Sequence, residues 1–159
     1  NVVKKYYEFI DTLNEKLKEH DFEDKTEVIH VGHEVAKELR SEVPVSSNCA
    51  QTVMRVYAKE IGLDEDLAAA IGSNFGGGMR CGATCGAIAA GYMVLGAKGI
   101  ESPAVLNEFR KCMAKKHDGM TDCADLLRAN AAKGGEKKPH CDNMIEEVIT
   151  LIDELTDGR

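Results

Sequence analysis

Six cysteines stand out in a chain of 159 residues: Cys49, Cys81, Cys85, Cys112, Cys123 and Cys141. A cysteine does its chemistry as the thiolate, either as a metal ligand or as a nucleophile in disulfide exchange, so its setting must favour anionic sulfur. Four of the six share such a setting. Cys49 follows Ser46-Ser47-Asn48, Cys85 follows Thr84, Cys123 follows Thr121-Asp122 and Cys141 follows Pro139-His140, each a signal that opens a helix. A helix start carries about half a positive charge and unpaired N–H donors, and both stabilise thiolate over thiol. Cys81 lies in a glycine-rich stretch and Cys112 inside an amphipathic run, so these two are secondary candidates.

The separations of the four leave 35, 37 and 17 intervening residues, and a common site therefore draws one sulfur from each of four helices. Local metal and redox motifs are absent. There is no C-x-x-C for thioredoxin-type exchange, a zinc ribbon or c-type haem, no ferredoxin run, and no H-x(3–5)-H among the five histidines. Gly77-x4-Gly82-Ala83-Thr84 has the glycine spacing of a P-loop, but Ala83 stands where the phosphate-binding Lys is required. A G-x-G-x-x-G match fails because Cys81 takes the third glycine position. Gly76, Gly77 and Gly78 instead let backbone approach a bound group and turn N–H donors toward sulfur. His140 reads as a helix-start residue beside Cys141, and His30 and His33, one turn apart, read as surface residues.

The elements that must position these residues are helices. Apolar residues recur at helical spacing over 2–19, in Thr26–Leu39 and in Cys49–Ile61, which Gly62 closes. Asp64 caps Glu65–Phe75, Thr84 caps Cys85–Ala97, and Ser102-Pro103 opens a helix to Lys116. A short helix runs from Thr121 or Asp122 to Asn130, Lys133–Pro139 forms a polar loop, and His140–Leu155 is the last helix. No segment alternates with period two. The expectation is an all-α, single-domain bundle of seven or eight helices over 1–159, with a Gly-rich loop at 76–82.

Composition narrows the function. With 43% hydrophobic residues and 30% charged, 17.3 kDa builds a real core, so the cysteines need not be a disulfide framework and a cytoplasmic, reduced state is expected. Twenty basic against 27 acidic residues leave a net charge of −7, and aromatics are 5% without Trp, which argues against nucleic acid as partner. No apolar run approaches the ~20 residues of a membrane span. The interval Arg110–Lys138 carries eight basic and four acidic residues, a solvated basic face or a docking face for an anionic redox partner protein.

Taken in order, Asn48-Cys49-Ala50-Gln51, Gly62-Leu63-Asp64, Phe75-Gly76-Gly77-Gly78-Met79, Cys85-Gly86-Ala87 with Gly91 six residues on, Cys123 ahead of Leu126-Leu127, and Cys141 form a pattern. It resembles the C_GCAxxG_C_C family of redox-active bacterial proteins and is similar to the C-terminal portion of split-Soret cytochromes c. The resemblance covers residues 46–155 and leaves the N-terminal helices of 1–45 outside. It implies an iron–sulfur or other redox role resting on Cys49, Cys85, Cys123 and Cys141. The haem of the cytochromes does not carry over, since C-x-x-C-H is missing, and Cys81 and Cys112 are additions to the pattern. The leading expectation is electron transfer through an iron–sulfur cluster held by the four thiolates, with the glycine amides offsetting its charge. The alternatives are a metal-free thiol–disulfide enzyme using paired low-pKa cysteines and an interaction domain closed by zinc on a four-cysteine site.

Overall fold

The computed structural model describes residues 3–5, 8, 11 and 26–156. Val3–Lys5, Glu8 and Asp11 are helical, and the rest of the helix expected over 2–19 lies outside the described residues. Seven α-helices follow in chain order: α1 (Thr26–Ser41), α2 (Cys49–Tyr57), α3 (Glu65–Gly72), α4 (Gly86–Ala97), α5 (Pro103–Lys115), α6 (Cys123–Ala132) and α7 (Lys137–Thr156). A glycine-rich turn, Gly78–Gly82, separates α3 from α4. No strand forms among the described residues, and Thr84 and Asp122 make an isolated antiparallel bridge. The protein is all-α.

The core lies where α2, α4 and α7 meet. Val53, Met54 and Tyr57 from α2, Ile88, Val94 and Leu95 from α4, and Ile145, Ile149 and Ile152 from α7 are all buried. Helix α4 is apolar around its circumference, as a central helix must be. Small residues let its neighbours approach: a Cβ on Gly91 would stand 2.6 Å from Phe109 Cζ of α5.

Helices α2 and α7 run the same way. Their cysteines, Cys49 and Cys141, line one cavity at one end. At the other end the Tyr57 hydroxyl bonds Asp153 Oδ1 at 2.7 Å and the Ile149 carbonyl at 3.1 Å.

Several expected boundaries move. The last helix begins at Lys137, not His140, so Lys138 and Pro139 are helical and the polar loop is shorter. Proline has no N–H to donate, and the first turn of a helix needs none, so Pro139 fits as the third residue. Cys85 is itself the cap residue of α4, with extended φ, ψ of −48° and 131°, and Thr84 pairs across the bridge instead. Helix α2 ends at Tyr57 and α3 at Gly72, each followed by turns. His33 is not a surface residue: its side chain is 17% exposed and meets Thr150 and Glu146 of α7.

Candidate functional site

The start of α2 is built to hold a thiolate. Asn48 caps the helix through a reciprocal pair, its Oδ1 accepting from the Gln51 N–H at 2.8 Å while its own N–H donates to Gln51 Oε1 at 3.0 Å. The remaining amide donors fasten this corner to α3: Asn48 Nδ2 to the Ser73 carbonyl at 3.0 Å and Gln51 Nε2 to the Ala69 carbonyl at 3.1 Å. The next residue, Cys49, is thereby fixed with its sulfur among the starts of neighbouring elements.

Cys85 and Cys123 are brought together by the backbone. The Cys85 N–H donates to the Thr121 carbonyl at 2.9 Å, and the Cys123 N–H donates to the Ala83 carbonyl at 2.7 Å. Two bonds thus join the approach to α4 with the approach to α6. Cys141 comes from the second turn of α7, because that helix starts early. Its sulfur therefore lacks the helix-start position expected for it.

All four cysteines nevertheless line one cavity of about 400 Å³, together with Gly77, Arg40, Lys137 and His140. Cys81 and Cys112 are not on its wall. Cys81 is exposed, its thiol donating to the Gly78 carbonyl at 3.4 Å, and Cys112 faces Glu108 on α5 at 3.6 Å. Of the three glycines, Gly77 alone lines the cavity. Gly76 is pressed against the Asn48 side chain and Gly78 against the Ala83 backbone, where a Cβ would lie 2.6 Å and 2.2 Å from the nearest atoms.

The sulfurs differ in charge state. The Cys49 thiol is pulled down to about 6 by the hydrogen bond from Cys85, opposed by burial and helped by the N–H groups of Gly77, Ala50 and Ala87. Cys85 is pushed the other way, by donating to Cys49, by burial and by the negative charge of its partner. One thiolate and one thiol therefore share a hydrogen bond at neutral pH. Cys123 and Cys141 are raised, first by burial and then by repulsion from Cys49. Lys137 opposes the rise at both, and Arg40 at Cys141.

A model of a family described as "Putative redox-active protein (C_GCAxxG_C_C)" matches residues 47–155. The chain belongs to this family. No curated protein and no solved structure matches it. The family match takes in all four cavity cysteines and begins after α1. Arg40, from α1, is the wall residue for which the sequence held no signal beyond a basic residue ahead of Pro44. No helix among the described residues is long and apolar enough to cross a membrane.

Proposed function

We propose that the chain is a small electron-transfer protein whose Cys49, Cys85, Cys123 and Cys141 hold an iron–sulfur cluster. The observation that carries this reading is the convergence of four cysteines on one cavity, three of them from α2, α6 and α7 and the fourth from the cap of α4. The residues present fit such a group in three respects. Sulfur donors suit iron. The N–H groups of Gly77, Ala50 and Ala87 already point at one of them. Ser47, on the same wall and 1% exposed, keeps a hydroxyl that no acceptor among the described residues uses.

The spread of the sulfurs bears on which metal centre suits the site. A single tetrahedral zinc at about 2.3 Å from each sulfur demands sulfurs about 4 Å apart. No three His, Cys, Asp or Glu among the described residues are arranged around one ion. A cluster of several irons spreads its thiolates wider than one ion does.

Such a cluster would supply one-electron chemistry. The chain's own part is electrostatic. Amide donors on Cys49 disperse negative charge, Arg40 and Lys137 add positive charge at the wall, and the buried Cys85 side limits water. The exposed basic residues of Arg110–Lys138, on α5, α6 and the start of α7, would offer an anionic redox partner protein a docking face.

The thiolate–thiol pair favours one second reading, metal-free disulfide exchange. The Cys49 thiolate would attack a substrate disulfide and release one substrate thiolate. Cys85, after losing its proton, would attack the Cys49 sulfur, freeing the second substrate thiol and leaving a Cys49–Cys85 disulfide. Two electrons pass to the substrate.

Anaerobic purification separates the readings. Brown protein with iron and acid-labile sulfide that bleaches on reduction supports the cluster. Colourless, iron-free protein after anaerobic reconstitution overturns it, with zinc in the sample pointing to a structural site and no metal to disulfide exchange.

A further inference from the structure

One charged group on the cavity wall comes from a helix that carries no cysteine. Arg40 lies in the last turn of α1, ahead of the stretch that the family match covers. Its side chain is 12% exposed. The Nε donates to Asp142 Oδ1 at 2.6 Å and Nη1 donates to the Ser47 carbonyl at 2.8 Å. Asp142 directly follows Cys141, and Ser47 stands two residues before Cys49. A single guanidinium thus joins two cysteine-bearing segments that are 92 residues apart. The other oxygen of Asp142 accepts from Lys138 Nζ at 2.6 Å, so the carboxylate has a cationic partner on each side.

We propose that Arg40 is the positioning residue of the four-cysteine cavity: it sets the Cys49 segment against the Cys141 segment and fixes a positive charge at the wall. The inference rests on the cluster reading for its electrical half and on hydrogen bonding alone for its geometric half. The planar fork makes the geometric half specific to Arg, since a lysine ammonium cannot span both acceptors in the same fixed way. Charge alone, by contrast, survives replacement by Lys. A cation at the wall favours whichever state of the centre carries more negative charge, which is the reduced one. Removing it lowers the reduction potential, and moving it slightly does not.

The test uses full-length Arg40→Gln and Arg40→Lys, each with helix content checked by circular dichroism. In the metal-free, reduced protein, hydrogen exchange reads the geometry. Both variants are expected to speed exchange of the Asn48–Cys49 and Cys141–Asn143 amides about tenfold while those around Ile149 keep their rate. Unchanged exchange in the two segments overturns the positioning role, and this readout stands even if the wild-type protein takes up no iron and the cluster reading fails. In reconstituted protein, redox titration at equal iron content reads the charge. Arg40→Gln is expected to lower the reduced-to-oxidised ratio at fixed potential about tenfold, 59 mV for one electron, with Arg40→Lys within about twofold of wild type. Equal potentials in wild type and Arg40→Gln overturn the electrical role. If Arg40→Gln does not fold, Arg40→Lys decides: faster exchange in the two segments with a kept potential supports the proposal, and wild-type exchange overturns it.

Discussion

Helices α2 and α7 lie side by side, and their two ends are finished in opposite ways. Near their starts, Cys49 and Cys141 face a cavity, with N–H donors and cations arranged around sulfur and room left in the middle. Toward their ends, Tyr57 and Asp153 close on each other. The phenol has two acceptors, Lys98 sits 5.6 Å above the ring, and Lys98 in turn meets Glu60 at 2.7 Å. Burial pushes the Asp153 carboxyl up to about 6 and the Tyr57 phenol up as well. Both ends bury titratable groups. At the closed end the phenol and the carboxylate are matched to each other, which is what stability requires; at the open end the buried Ser47 hydroxyl has no partner among the described residues, which is what a binding site allows.

The sharpest way to break this contrast is to remove sulfur. Ser at Cys49, Cys85, Cys123 or Cys141 is expected to abolish most iron incorporation, measured by iron and sulfide content after anaerobic reconstitution. Ser at Cys81 or Cys112 leaves it near the wild-type value. Iron loss from Cys112→Ser equal to that from Cys123→Ser would show that the cavity wall does not define the ligand set.

Gly86→Ala strikes the open end through packing. Its Cβ would fall 2.6 Å from the Phe75 carbonyl oxygen and 2.7 Å from Cys49 Sγ, and the backbone of Phe75 has little freedom to retreat. A loss of about 1–3 kcal/mol in urea unfolding is expected, together with reduced iron uptake.

Proton release sharpens the comparison further. In the metal-free, reduced protein, iodoacetamide should alkylate Cys49 with an inflection near pH 6, against an ordinary thiol value of 9.0. Because the folded value is depressed, the stability that Cys49 contributes is fully present above pH 9 and is lost as pH falls toward 6. Cys85, raised in the fold, acts oppositely and costs stability above pH 9. The difference in unfolding free energy between wild type and Cys49→Ser should therefore grow from pH 6 to 9, and a flat difference would contradict the thiolate assignment.

The smallest effect belongs to the closed end. Tyr57→Phe removes the donor to Asp153 and the Ile149 carbonyl, at an expected cost of about 1–2 kcal/mol by chemical denaturation. Iron content should not change.

The helical class was legible because it rests on local signals, namely apolar spacing, capping residues and glycines that stop helices; the same signals placed Cys49 and Cys123 at helix starts and misplaced Cys141. Asn48 shows how well a local signal works, since its cap and Gln51 lie three residues apart. Pro139 shows where one misleads, a helix breaker by residue type that sits harmlessly in a first turn. The pairing of Ala83–Cys85 with Thr121–Cys123 was not legible, because backbone bonds between segments 38 residues apart leave no mark on side-chain type. Arg40 was missed for the same reason. Its partners are a backbone carbonyl and a distant carboxylate, and neither can be read from a helix with an arginine in its last turn.

The turn between α3 and α4 carries one more consequence. Gly77, Gly78, Met79 and Arg80 follow one another at φ of 64°, 60°, 54° and 59°, so the chain there winds with the opposite hand to every helix around it. For an L-residue that hand costs roughly 1–2 kcal/mol at each position. Met79 is 50% exposed and Arg80 is exposed too, so neither belongs to the core. This is the stretch of the protein in which mirror-image amino acids suit the backbone better than natural ones. A chemically synthesised chain with the D-enantiomers at Met79 and Arg80 would hold the Gly77 amide against Cys49 with less opposition from its own stereochemistry.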